Sequence, residues 1–252
     1  MNIIYISSFI SIFFLLFAGP QAAATDEYHV VIAAANHPPS SGETLPDNGF
    51  MAKLVTDAFK QEGYTVVYNF YPWKRALEET INGDVDGLLT VSYSDERAQH
   101  LQYSDVVHQF RINFLTTRDK QIAYKSPSDM RPYLIGVIRG TVFIKGLEEN
   151  GIRYEEVKNW EMNLNKLLYG RVDAVLGNTV NVQYSLEQKF GDADRSNIVV
   201  VEPPYTVDDV HVAFSKRIER TELLVNVFNR GLSKIKNDGT YASILKKHHI
   251  TE

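Results

Sequence analysis

Hydrophobic positions along this chain change period at regular intervals, and the changes mark out its elements. Residues 29–35 form a nearly continuous apolar run, stopped by Asn36-His37-Pro38-Pro39, where proline fixes φ. After a polar loop reaching Asn48, residues 49–62 carry Phe50, Leu54, Val55, Ala58 and Phe59 on one helical face, and Gly63 ends the helix. Residues 64–70 alternate and are rich in aromatic and β-branched side chains, as strands are. Tyr71-Pro72-Trp73 breaks that strand before a helix over 74–81. A polar stretch over 94–99 and a long apolar run over 106–117 follow, and Arg118-Asp119-Lys120 makes a polar boundary. The alternation then resumes: strand 133–138, helix from Thr141, strand 154–157, helix 162–169, strand 172–176, helix 180–190. Residues 198–201 and 210–215 read as two strands separated by a Pro-rich turn over 202–209, and helices over 221–237 and 241–247 close the pattern. Strands and helices alternating at these intervals predict parallel α/β units.

Within this alternation one phrase occurs twice. Gly83-Asp-Val-Asp86-Gly-Leu-Leu-Thr90 returns as Gly170-Arg-Val-Asp173-Ala-Val-Leu-Gly177, with the two aspartates 87 residues apart. Each copy reads as amphipathic helix, glycine turn and short apolar strand. Such strands are buried on both faces of a parallel sheet, and their carboxyl ends open into the crevice where α/β sheets bind ligands. Two copies predict two similar lobes, with Thr90 and Ser92 at one edge of a cleft and Asn178 and Thr179 at the other.

Composition narrows the function classes. The 252 residues suffice for one or two domains. A formal charge of −5, with no segment concentrating Lys and Arg, argues against a nucleic-acid partner. The chain has no cysteine, which excludes disulfides, thiolate nucleophiles and cysteine metal sites. The apolar run from Ile3 to Phe17, followed by Ala22-Ala23-Ala24, predicts a cleaved signal peptide over residues 1–24, although its start lacks the usual basic residue. An uncleaved anchor is the other reading, but the run falls short of the roughly 20 residues a membrane span needs. Export to the periplasm is the expectation.

Several strings together resemble a known family. They are Asp86-Gly-Leu-Leu-Thr-Val-Ser-Tyr-Ser-Asp-Glu-Arg97 with Leu101-Gln-Tyr-Ser-Asp105, the turn Gly136-Val-Ile-Arg-Gly-Thr141, and the closing Asn237-Asp-Gly-Thr-Tyr241. In order and spacing they are similar to the periplasmic solute-binding proteins of polar-amino-acid ABC importers, family 3 of the bacterial extracellular solute-binding proteins. The resemblance spans about residues 28 to 248. It implies an α/β type II periplasmic-binding fold, two lobes joined by two crossing strands with ligand between them. The crossings are expected near 115–118 and 214–216, giving a discontinuous first lobe (25–116 and 215–252) and a second lobe (117–214). A small-molecule ligand, an inner-membrane ABC permease as partner and a monomeric state are implied with it; no cofactor is.

The candidate site residues follow from both sources. Arg97 sits just past a strand end, and its planar guanidinium can grip a carboxylate with two donors. The resemblance gives it the ligand carboxylate and places Thr90 and Ser92 beside it. Gly140, Thr141 and Val142 lie between a strand and a helix, where backbone N–H groups meet anions; Thr141 also reads as an N-cap. The resemblance puts the second half of the carboxylate clamp there. Asn178 departs from the family, which usually carries an aspartate to meet the ligand ammonium. Either Asn178 borders the ligand or it caps the next helix; the ammonium then falls to Asp208 or Glu202, or the ligand lacks one. Trp73 and His37 are aromatic candidates at the cleft edge, with Tyr71 and Phe110 as further ones. No Gly-x-Ser-x-Gly, His-Glu-x-x-His or phosphate-loop string occurs, and adjacent His248 and His249 cannot face one ion. A binding protein without catalytic or metal residues is therefore expected. A sensor signalling to a membrane partner is the alternative, and an enzyme reusing the fold the less favoured one.

Overall fold

A computed structural model describes residues 28–250; the expected signal peptide lies outside them. The chain opens with β1 (His29–Ala34), α1 (Phe50–Lys60), β2 (Thr65–Phe70), α2 (Trp73–Asn82) and β3 (Gly87–Ser92). A one-turn helix α3 (Asp95–Ala98) and the short β4 (Leu101–Tyr103) lead into the long β5 (His108–Thr117). Then come β6 (Leu134–Ile138), α4 (Phe143–Glu149), β7 (Arg153–Val157), α5 (Trp160–Leu168) and β8 (Ala174–Asn178). The chain ends with α6 (Thr179–Lys189), α7 (Asp192–Asn197), β9 (Ile198–Ser215), α8 (Thr221–Asn237) and α9 (Thr240–Lys247).

The strand order is β2-β1-β3-β9-β5-β8-β6-β7, with β4 also on β9. Its two ends mirror each other. In one lobe β1 lies between parallel β2 and β3; in the other β6 lies between parallel β7 and β8. Antiparallel β5 and β9 run between them, so the two expected lobes are present and the chain leaves the first along β5 and returns along β9. Helices α1 and α8 cover one face of the first lobe with Phe50, Leu54, Phe59, Leu224 and Phe228, all fully buried. Ala76 of α2 covers the other against Leu88 and Val91. In the second lobe Leu164 and Leu167 of α5 and Val182 of α6 pack on Leu115 and Val175.

The repeated phrase has a physical reason. Asp86 accepts the Val31 N–H at 2.8 Å through Oδ2, and its own N–H donates to the Val31 carbonyl at 2.9 Å. Asp173 does the same one lobe over, accepting the Leu134 N–H at 2.8 Å and donating back to the Leu134 carbonyl at 2.8 Å. Each aspartate thus ties the start of one parallel strand to its neighbour. Each is then met by a cation from just beyond a crossing strand. Arg220 clasps Asp86 with Nε at 3.0 Å and Nη2 at 2.7 Å, and Lys120 pairs with Asp173. Gly83 and Gly170, at φ 83° and 67°, make the left-handed turns that deliver these aspartates.

Two expectations change. The Pro-rich turn over 202–209 is not a turn: β9 runs unbroken from Ile198 to Ser215. Thr206 pairs with Ile112 and Val201 with Phe114, so residues 202–205 bulge out opposite Asn113 alone. Pro203 and Pro204 cannot donate to a ladder, and a bulge is where a strand tolerates them. The crossing points also shift. Leu115 already pairs with Val175 of β8, and Phe214 already pairs with Gly87 of β3. The strands change neighbours over 108–112 and 206–210, earlier on each than the expected 115–118 and 214–216.

The two aspartate ties differ in burial, which sets a test. The Asp86 side chain is 10% exposed and that of Asp173 is 32%. Asp86→Ala removes a buried carboxylate that holds both the Val31 N–H and the half-buried Arg220 and should cost about 3 kcal/mol, whereas Asp173→Ala should cost about 1–2, because solvent takes part of the load. Urea unfolding of the two variants measures the ratio, and equal losses would contradict it. A second test concerns His108, which packs edge-on against Phe50 and Phe110 and bonds Tyr241 Oη through Nδ1 at 2.7 Å. Burial lowers its pKa to about 4. The folded state therefore binds fewer protons than the unfolded state below about pH 6.5, so stability should fall as pH drops from there toward 4. His108→Gln should flatten that decline by one proton's worth of slope. An unchanged slope in denaturant melts across this range would contradict the assignment.

Candidate functional site

Between the lobes lies a cavity of about 140 Å³, against roughly 10–15 Å³ for a single water on this measure. It has room for a small molecule. All nine residues expected from the sequence line it: His37, Trp73, Thr90, Ser92, Arg97, Gly140, Thr141, Val142 and Asn178. Phe110 lines it too, whereas Tyr71 instead carries Arg75 over its ring at 5.0 Å.

Arg97 is positioned by its own short helix. Ser94 caps α3 by accepting the Arg97 N–H, which fixes the backbone from which the side chain reaches into the cleft. Its guanidinium lies over the Trp73 ring at 5.3 Å, a cation–π contact. Nη1 donates to the Ser92 carbonyl at 3.2 Å, and Nη2 crosses the cleft to the Gly140 carbonyl at 3.3 Å. Burial draws the Arg97 pKa below its ordinary value, and an arginine there stays charged. Among the described residues no carboxylate forms an ion pair with it.

Thr90 is the strained point of the site. Leu89 and Thr90 together oppose one residue of β9, because Leu88 pairs with Ala213 and Val91 with His211. This bulge puts Thr90 at φ 57°, a conformation that β-branched residues rarely adopt. Its Oγ1 is buried and makes no hydrogen bond among the described residues. A left-handed threonine with an unsatisfied hydroxyl at a cavity wall is strain of the kind that collects at ligand sites.

The second lobe supplies the opposite wall. Asn178 caps α6, its Oδ1 accepting from Val180 at 2.9 Å and Asn181 at 3.4 Å. It caps a helix and borders the cavity at once. The expected N-cap at Thr141 is displaced: α4 starts at Phe143 with Val142 before it and no side-chain cap. The Thr141 N–H is spent on the Ile138 carbonyl at 3.3 Å, so it is not a free donor for an anion.

Further lining residues escaped the sequence reading, among them Ser40, Trp160 and Asn181. Trp160 had a usable signal: it lies 87 residues after Trp73, the spacing of the two aspartates, and these are the chain's two tryptophans. Each begins the helix ahead of its repeated phrase. The Trp160 ring lies over Gly177, where an added Cβ would stand 1.8 Å from Cη2, so only glycine fits under it. Asn181 bridges the lobes. Its Nδ2 donates to the carbonyls of His37 at 2.9 Å and Pro38 at 3.0 Å, and Ser40 Oγ donates to its Oδ1 at 3.2 Å. With Arg97 on Gly140, these bonds span the cleft. Burial lowers the His37 pKa to about 4, so its ring is neutral at ordinary pH.

Glu202, one of two acids considered for an ammonium, pairs with exposed Arg111 outside the cavity at 2.9 Å; the other, Asp208, lines it. Among the described residues no group of three or more His, Asp or Glu is arranged for a metal ion, and no helix is long and apolar enough to cross a membrane.

Comparison with known proteins agrees with this geometry. A probable histidine-binding protein of Campylobacter jejuni is 23% identical over 210 residues, covering 80% of this chain and 77% of its own. An arginine-binding periplasmic protein of Mannheimia haemolytica is 22% identical, over 86% of this chain and 90% of its own. Among solved structures, a histidine kinase sensor domain similar to periplasmic binding proteins superposes with a TM-score of 0.77 at 20% identity, over 88% of this chain and 97% of its own. The fold is that of the type II periplasmic-binding proteins. The model of the bacterial extracellular solute-binding proteins, family 3, matches residues 29–251, and this chain belongs to that family.

Proposed function

We propose that this protein binds a small carboxylate-bearing solute, an amino acid or related compound, in the periplasm and delivers it to an ABC importer of the inner membrane. The observation carrying this is Arg97: a half-desolvated guanidinium in an interlobe cavity, with no carboxylate among the described residues paired to it. Carbonyl oxygens are its present acceptors, and a ligand carboxylate would be a stronger one. The Thr90 hydroxyl, buried at the same cavity and without a hydrogen bond among the described residues, is a second group that a ligand oxygen would satisfy. The relatives named for histidine and arginine binding support an amino acid as the ligand class. The apolar run over 3–17, outside the described residues, supports export. The reading is of a monomer that traps its ligand and releases it unchanged.

Thermal-shift screening of the mature protein against amino acids and small carboxylates should find a stabilising ligand, and mass spectrometry of the released ligand should return it intact. Against that ligand, Arg97→Ala should lose about 3–5 kcal/mol, two to four decades of affinity, with the fold preserved. Arg97→Lys should recover only part, because an ammonium cannot reproduce the fork. Affinity within about threefold of the parent for Arg97→Ala would refute the assignment. Thr90→Gly should move two quantities in opposite directions. Relief of about 1–3 kcal/mol of backbone strain, less about 0.5–1 for the added freedom of glycine, should raise stability by about 1 kcal/mol. Loss of the hydroxyl should weaken binding about tenfold. Denaturant melts and calorimetry read the pair, and a less stable Thr90→Gly would count against strain held for binding.

A further inference from the structure

Two opposite charges in the cavity hang from one strand residue and do not meet. Arg97 Nη1 donates to the carbonyl of Ser92, while Ser92 Oγ donates to Asp208 Oδ2 at 2.7 Å. Among the described residues no ion pair joins Arg97 to Asp208, and Asp208 Oδ1 accepts no hydrogen bond. Asp208 lies on β9 opposite Phe110, at the point where the strand passes between the lobes. Burial raises its pKa, so the carboxylate is held where its charge lacks solvation. A cation delivered there would relieve that cost.

The other candidates for such a cation are excluded by their partners. Asn178 has one acceptor oxygen, and two N–H groups of α6 already use it. His37 is neutral. Among the described residues Asp208 is the one acidic residue of the lining. Much of the remaining wall is apolar: Trp73, Phe110, Phe143, Trp160 and Leu176. Arg139 stands exposed at the rim, 3.7 Å from Glu156.

We propose that Asp208 receives an ammonium group of the ligand, making the ligand a zwitterionic amino acid with an uncharged side chain. This rests on the reading of Arg97 as the carboxylate site and adds the second charge. A basic amino acid would bring a second cation with no second acid to meet it. A plain carboxylate would leave Asp208 desolvated and unpaired.

The test is calorimetry with glutamine, leucine and phenylalanine, each beside its des-amino carboxylate, plus arginine and lysine as basic probes. The parent should bind at least one of the three neutral amino acids about tenfold or more tighter than its des-amino partner, the equivalent of one charge-assisted bond. Asp208→Asn should lose about tenfold or more for that amino acid while holding the des-amino acid within about threefold. Arg97→Ala should weaken both. The proposal is overturned if the parent prefers a des-amino acid, arginine or lysine, or if Asp208→Asn weakens both members of a pair equally, which would mark a merely structural role. If Arg97→Ala loses nothing while Asp208→Asn keeps its selective effect, the carboxylate reading fails and the ammonium site stands.

Discussion

A strand shared by two sheets must find hydrogen-bond partners in both, and in this chain β5 and β9 carry that duty together. Their antiparallel ribbon supplies the inner neighbour of β3 in one lobe and of β8 in the other. Every other strand is placed outward from it. The charged ties follow the same logic, because Lys120 and Arg220 emerge just past the ends of β5 and β9 to hold Asp173 and Asp86. The cavity is where the ribbon changes partners, and Phe110, Ile112, Asp208 and Val210 line it from the ribbon itself.

The distribution of polarity in the site follows from that placement. Groups on the first lobe carry the cation and the strained hydroxyl, Arg97 and Thr90. Asp208 arrives on the ribbon, between the lobes. The second lobe contributes aromatic cover from Trp160, the Asn178 cap and the Gly140 carbonyl. Water exclusion strengthens whatever charge pairs form inside, because the effective dielectric falls. The same exclusion explains why Arg97 and Asp208 are displaced in opposite directions from their ordinary pKa values: each is denied solvent.

Much of this was legible in the sequence wherever the determinant was a local string. The phrase around Asp86 and Asp173 announced two lobes because each copy contains its own helix end, turn and strand. Arg97, Thr90 and Ser92 could be expected together at the cavity wall because a strand end and its following turn are adjacent in the chain and the family resemblance covers that string. What failed to show was non-local. Pro203 and Pro204 read as a turn because their tolerance inside β9 depends on a bulge against β5, some 90 residues earlier. Asp208 was hidden within that supposed turn and surfaced only as one of two acids. Thr141 read as a donor and cap, yet its N–H is taken by Ile138. Trp160 was masked because the apolar pattern of α5 becomes periodic only from Met162, although Trp160 stands 87 residues after Trp73 in the sequence.

The latch at Asn181 grips the backbone carbonyls of His37 and Pro38, and on that loop its one side-chain partner among the described residues is Ser40. Any residue placed at 37 still offers a carbonyl. Interlobe bonding and cavity lining are thereby written in separate chemical alphabets on the same loop: main-chain carbonyls bridge to Asn181, and the His37 imidazole faces the cavity. A lineage could exchange the second without rewriting the first.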